Sequence, residues 1–178
     1  MNEVDRNTLI WKYKDSLSEF FKAAWAIIEP EKKLIWNWHH DYLAGELTRR
    51  MKMVGGSQQR VDDLLINVPP GTTKSSLVTV VFPVWCWLHF PGMKFITASY
   101  SGDLAILHAV KSRDIVQSDW FMELFSGIFT LKFDVNKKSE YQNDKQGHRI
   151  AVGISGGATG KHADIFIVDD PINTKKAA

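Results

Sequence analysis

The chain has 178 residues, of which 44% are hydrophobic and 24% charged, with a formal net charge of +2. That is the make-up of a soluble globular chain with room for one domain and a substantial core, and a near-neutral total neither supports nor excludes a nucleic-acid partner. The lone cysteine, Cys86, excludes an internal disulfide and a cysteine-based zinc cage; within Val84-Trp85-Cys86-Trp87-Leu88 it reads as a small buried hydrophobe.

The opening residues Met1-Asn2-Glu3-Val4-Asp5-Arg6 lack the form of a signal peptide. No apolar run reaches the ~18 residues of a membrane span. The longest, 77–90, is interrupted by Thr79, Pro83 and His89. The expectation is a cytoplasmic protein without a membrane partner.

Residues 8–28 read as an amphipathic helix, with Leu17, Phe20, Phe21, Ala24, Trp25 and Ile28 in helical rhythm and Pro30 ending it. A second helix is expected over 37–52, with Leu43, Leu47 and Met51 on one face, before the loop Gly55-Gly56-Ser57-Gln58-Gln59. These helices form an N-terminal extension over 1–58. From 59 onward the texture changes. The run Leu64-Leu65-Ile66-Asn67-Val68 predicts a short buried strand, followed by a turn-rich loop and a helix over 74–90 that kinks near Pro83. A strand over 94–98 and a helix capped by Ser101 and running to Gln117 come next. Trp120, Phe121, Leu124 and Phe125 suggest a short packed helix, and 136–147 a polar loop. Strands are expected at 149–152 and 164–168, joined by a Gly-rich connection. Alternating strands and helices predict an α/β fold with a parallel sheet flanked by helices.

The first chemical signal is Val68-Pro69-Pro70-Gly71-Thr72-Thr73-Lys74-Ser75-Ser76, between a candidate strand and a candidate helix. Backbone amides at a helix N-terminus attract phosphate. A lysine there suits the β/γ-phosphates, and a following serine can hold Mg²⁺. Candidate nucleotide contacts are Pro70, Gly71, Thr72, Thr73, Lys74, Ser75 and Ser76, with Ser75 also a metal ligand. The standard pattern G-x-x-x-x-G-K-[ST] is not met, because Val68 and Thr73 stand where its glycines would be. Alone, the segment is equally an ordinary strand–turn–helix.

The second signal is Asp164-Ile165-Phe166-Ile167-Val168-Asp169-Asp170-Pro171, an apolar strand with two carboxylates at its C-terminal end. Ligands of open α/β sheets bind beyond such ends. Asp169 is placed to hold Mg²⁺ and Asp170 to orient or deprotonate an attacking water, though a strand closed by a polar turn looks the same. Lys74 and Asp169 lie 95 positions apart (74 to 169), room for the intervening units of a nucleotide-hydrolysing core. Together they favour an ATPase in which Lys74 and Asp170 are catalytic.

With these residues in place, the chain from about Phe20 onward resembles the N-terminal P-loop ATPase domain (RecA/ASCE-like) of phage terminase large subunits. The likeness includes Trp36-Asn37-Trp38-His39-His40-Asp41-Tyr42-Leu43 upstream and a variant Walker A opening on Pro69-Pro70. Further along, Phe90-Pro91-Gly92-Met93-Lys94, Thr97-Ala98-Ser99-Tyr100-Ser101 and Ser112-Arg113-Asp114-Ile115-Val116 follow in family order. Gly156-Gly157-Ala158-Thr159-Gly160-Lys161-His162-Ala163-Asp164 then leads into the acidic strand. The resemblance implies a motor using ATP and Mg²⁺ to translocate double-stranded DNA into a capsid, in an infected or lysogenic bacterial host. It implies as partners a small terminase subunit, the portal protein and further copies of the chain in a ring. The family's nuclease domain has no place in the eight residues after Asp170, so a core over 59–178, cut short after the acidic strand with its sheet incomplete, is expected. Where relatives carry glutamate, this chain has Asp170. Lys161, Arg149 and Arg113 are candidates for a trans-acting cation, each more readily read as a solvated surface charge. His39 or His40 lies where relatives approach the adenine, though packing explains both. A helicase-like ATPase, or a nucleotide- or partner-binding module without turnover, are the competing readings.

Overall fold

The computed structural model describes residues 2–56, 62–156 and 160–172. The N-terminal region is three helices, α1 (Glu3–Asp15), α2 (Leu17–Ile28) and α3 (Trp38–Gly55). The single helix expected over 8–28 breaks at Ser16, whose backbone is extended and whose side chain accepts from the Glu19 amide to cap α2. α1 buries no residue, while α2 buries Leu17, Phe20, Phe21, Ala24, Trp25 and Ile28. These join one hydrophobic cluster that runs through Leu43, Leu47 and Met51 of α3 to Trp85, Trp87, Phe95, Phe121 and Ile167. The helical extension and the sheet therefore share a core.

Helical backbone begins at Lys74, widens into a π-helical segment (Ser76–Val81) and continues as α4 (Phe82–Trp87). Pro83 accounts for the change of pitch: it has no N–H to offer the preceding turn, and its ring crowds the carbonyl there, so the chain is wider before it and regular after it. Cys86 is fully buried, as expected.

The sheet has five strands in the order β2–β3–β4–β1–β5, with β1 Lys94–Ser99, β2 Leu131–Asn136, β3 Glu140–Asn143, β4 His148–Gly153 and β5 Ile165–Asp169. The interior strand β1 pairs in parallel with β4 and β5. β2 and β3 are antiparallel to each other, and β3 to β4. The sheet is thus mixed rather than parallel. The stretch expected as a polar loop over 136–147 instead supplies part of a hairpin, anchored by buried Tyr141 and Asn143. Helices α5 (Gly102–Gln117) and α6 (Asp119–Phe125) follow β1. Ser101 stands at the N-cap of α5 as expected but makes no side-chain cap.

The strand expected over 64–68 is not in this sheet. Those residues carry no ladder pairing, and Leu65 is 92% exposed while Leu64 and Ile66 are half-buried. They present one side to the core and one to solvent, so the apolar run marks a half-covered segment rather than an interior strand. β5 is likewise an edge among the described residues: Ile167 and Asp169 are buried, whereas Phe166 is 58% and Val168 46% exposed. No described helix is long and apolar enough to cross a membrane.

Candidate functional site

The parallel pairing of β1 with β5 sets Asp169 beside Ser99, so Asp169 and the next residue Asp170 emerge where β1 also ends. Opposite them the chain turns through 69–73 and starts a helix at Lys74. The two sequence signals meet there. Lys74 Nζ donates to Asp170 Oδ1 at 2.9 Å and lies 3.5 Å from Asp169 Oδ1. Burial opposes the charge on Lys74, but the hydrogen bond to Asp170 and the attraction of both carboxylates outweigh it and hold the ammonium above its ordinary pKa.

The two carboxylates differ in setting. Asp169 is 5% exposed; Thr79 Oγ1 donates to its Oδ2 over a long 3.4 Å, and His108 Nδ1 lies 3.7 Å from the same oxygen. Burial lowers the pKa of His108, with Asp169 opposing and Arg149 reinforcing the shift. The Asp170 side chain is 62% exposed. Asp170 has φ 46°, in the left-handed region that aspartate tolerates. Its carbonyl accepts from the Tyr100 amide at 3.2 Å.

The loop has the same backbone character. Gly71 has φ 80° and Thr73 φ 56°. Thr73 is β-branched, so this conformation is costly for it, about 1–3 kcal/mol. Pro70 and Gly71 are exposed, and Thr72, Thr73, Lys74, Ser75 and Ser76 half-buried. Thr72 Oγ1 donates back to the Pro69 carbonyl at 2.8 Å and closes the turn. Thr73 Oγ1 lies 2.8 Å from His40 Nε2. Ser75 Oγ makes no hydrogen bond to either carboxylate among the described residues, so the structure joins Lys74, Asp169 and Asp170 directly and Ser75 only by adjacency.

The donors present fit a hard divalent cation held partly by phosphate. Asp169 is a buried carboxylate, and two polar atoms near it, Ser99 Oγ and His108 Nδ1, are buried without hydrogen-bond partners. Among the described residues no three His, Cys, Asp or Glu side chains gather as a metal cage. Mg²⁺ does not require one, since it commonly takes one or two carboxylates plus water and phosphate oxygens.

Sequence gives no sign of Thr79 or His108 in the site, and of His40 only the resemblance, as one of two histidines near the adenine. The three reach the site across 90, 61 and 33 positions, respectively from Asp169, from Asp169 and from Thr73, and no local pattern links such partners. The candidate trans-acting cations fare differently. Arg149 is completely buried, donating through Nη1 to Ser112 Oγ at 2.6 Å and through Nη2 to the Thr79 carbonyl at 2.5 Å, which excludes it from reaching a neighbouring subunit. Lys161 lies 3.8 Å from Glu140. Thr159, in the Gly-rich connection, lies outside the described residues. Trp36 stacks on His40. Compared with known proteins, the chain matches no family model, no curated protein and no solved structure.

Proposed function

We propose that the chain is a P-loop ATPase core of the terminase large-subunit kind, a motor that hydrolyses ATP to move double-stranded DNA into a capsid. One observation carries the reading: Lys74, at the start of a helix, reaches two carboxylates at the end of a parallel strand 95 and 96 positions later. Nucleotide hydrolysis needs that pair of features at one sheet edge, and neither motif alone requires it.

In this reading Lys74 leaves Asp170 for the β/γ-phosphates when nucleotide binds, trading one anion for another. The release frees Asp170, the exposed carboxylate, to orient water and accept its proton. The water oxygen bonds to the γ-phosphorus, the bond to the bridging oxygen breaks, and ADP carries away the electron pair. The backbone of Gly71–Ser76 offers amides to the phosphates. Asp169 and Ser75 would hold Mg²⁺, whose charge neutralises phosphate oxygens. DNA, portal protein, a small terminase subunit and a homo-oligomeric ring are the partners this function requires.

A second reading, a nucleotide- or partner-binding module without turnover, is favoured by the exposed apolar residues Phe166 and Val168 on the β5 edge. An unpaired apolar edge is a ready site for strand addition.

Both are tested by ATP binding and turnover on this chain, with and without Mg²⁺, beside Lys74→Ala and Asp170→Ala. Turnover lost in both variants supports the motor. Binding that depends on Lys74 without turnover supports the binding module. Absence of any ATP binding overturns the nucleotide reading.

A further inference from the structure

Position 73 demands a backbone that its residue resists. With φ 56°, Thr73 sits in the left-handed region, where glycine is at ease and a β-branched residue is an outlier. The standard phosphate-loop pattern has glycine here. A threonine held in this state needs a restraint from outside the loop.

His40 supplies one. Its Nε2 is 2.8 Å from Thr73 Oγ1. The cap of α3 fixes which nitrogen carries the proton. The Asn37 amide lies 3.0 Å from His40 Nδ1, and a backbone amide only donates, so Nδ1 presents its lone pair. The Asn37 carbonyl is farther from the same nitrogen, at 3.2 Å, and accepts from the His40 amide at 3.0 Å, so the closer partner of Nδ1 is the donor. The proton therefore resides on Nε2, which donates to the Thr73 hydroxyl.

The ring is immobilised as well. His40 is 3% exposed and stacks on Trp36 with centroids 4.6 Å apart and planes at 23°. Trp36 Nε1 donates to Asp41 Oδ2 at 2.9 Å, and Ser18 of α2 donates to Asp41 Oδ1 at 2.9 Å. A continuous chain of contacts thus runs from α2 through Asp41, Trp36 and His40 to the loop.

We propose that His40 is a positioning residue of the nucleotide site: its Nε2–H clamps Thr73 in the left-handed turn that glycine would adopt unaided, and so keeps the 71–76 loop shaped for phosphate before any ligand arrives. The loop-holding role stands on geometry alone; its effect on nucleotide rests on the ATPase reading above. The helical extension is then part of the site.

The test uses the full chain with His40→Gln, His40→Phe, Thr73→Gly and the double variant His40→Phe/Thr73→Gly. Glutamine at this position accepts the Asn37 amide as in a capping box and retains an N–H to donate. Phenylalanine keeps the ring and its stacking but loses both the donor to Thr73 and the acceptor of the Asn37 amide, and the double variant with Thr73→Gly separates the clamp from the lost cap. Three readouts are taken: amide hydrogen exchange across 71–76 without ligand, calorimetric affinity for Mg·ATP, and the melting temperature. The expectation is faster exchange at 71–76 and affinity weakened about tenfold in His40→Phe, the effect of losing one partnered donor. His40→Gln should behave as wild type. Thr73→Gly should suppress the affinity loss of His40→Phe, because glycine needs no clamp; a general packing defect would not be suppressed. Unchanged exchange in His40→Phe, or failure of Thr73→Gly to suppress, overturns the proposal. If wild type binds no ATP, the nucleotide reading fails, and the exchange data still decide the clamp.

Discussion

Replacing Lys74 with alanine should weaken the fold as well as the chemistry, and by an amount the exposures set. Asp169 is 5% exposed and, apart from Lys74, its side chain meets among the described residues the long hydrogen bond from Thr79 and His108 Nδ1 at 3.7 Å. Stripping the partner from a buried charge costs about 3–5 kcal/mol. Lys74 is 23% exposed, however, and its shorter contact is to Asp170, 62% exposed, where an ion pair contributes about 0–1 kcal/mol. The expected loss therefore lies between these limits, about 2 kcal/mol. For a chain of this size that corresponds to a melting point lower by about 4–8 °C. Urea unfolding at pH 7, followed by tryptophan fluorescence, measures it. Asp170→Asn should cost less than about 1 kcal/mol, yet remove turnover equally. Adding Asp169→Asn to Lys74→Ala should restore part of the loss, with a coupling of about 1–2 kcal/mol. The sign with pH is fixed: the folded pKa of Lys74 is raised above 10.5, so its stabilisation is complete below that value and disappears as pH rises through the folded one. Equal stability of Lys74→Ala and wild type, or a coupling near zero, would refute the ion-paired arrangement.

Three further outcomes test other parts of the structure. Arg149→Ala should destabilise by about 3 kcal/mol or more in urea unfolding, since it empties a fully buried site and leaves the Thr79 carbonyl without its donor, and unchanged stability would contradict this packing. Gly147→Ala places a Cβ 2.2 Å from the Pro91 carbonyl oxygen and 2.4 Å from Asn143 Nδ2, so a loss of about 1–3 kcal/mol in urea unfolding is expected, and a neutral result would contradict this packing. Burial lowers the pKa of His40, His89 and His108 below 6.5, so the unfolded chain takes up protons first as pH falls. Their contribution is intact above pH 6.5 and is lost from there down through the depressed values, which predicts a lower urea midpoint at pH 5.5 than at 7.5. A flat profile in wild type, or one left unaltered by His89→Gln, would count against buried neutral histidines.

The elements legible in sequence are those whose burial is written locally. The run ending at Ser99 is an interior strand, and five of its six residues are buried. The helical rhythm of Phe20, Phe21 and Ala24 is a core face. The hairpin of β2 and β3 was not legible, because its pattern is not a strand pattern: Phe133 is fully exposed, and the pairing has a register irregularity between Leu131 and Asn136. Its order comes from Asn143, whose Nδ2 donates to the Pro91 carbonyl and whose Oδ1 accepts from the Lys145 and Gly147 amides. In the other direction, 64–68 has the composition of a strand, but composition specifies only that a segment prefers to be extended, and a partner decides whether it joins a ladder.

The same division explains the site. Chain direction fixes the end of the parallel strand β5 at which Asp169 and Asp170 stand, whereas Lys74 reaches them from a helix start whose preceding segment, 64–68, pairs in no ladder. What holds them there is not written locally. Gly71, Thr73 and Asp170 all lie at positive φ around Lys74, and only the first is a residue type that announces such a backbone. The other two are held by bonds from distant segments, Thr73 by His40 and Asp170 by the Tyr100 amide. Strain of this kind persists only where the surrounding structure over-determines it. Of the three, Thr73 alone is a residue type that resists this backbone, and it stands beside the lysine that meets both carboxylates.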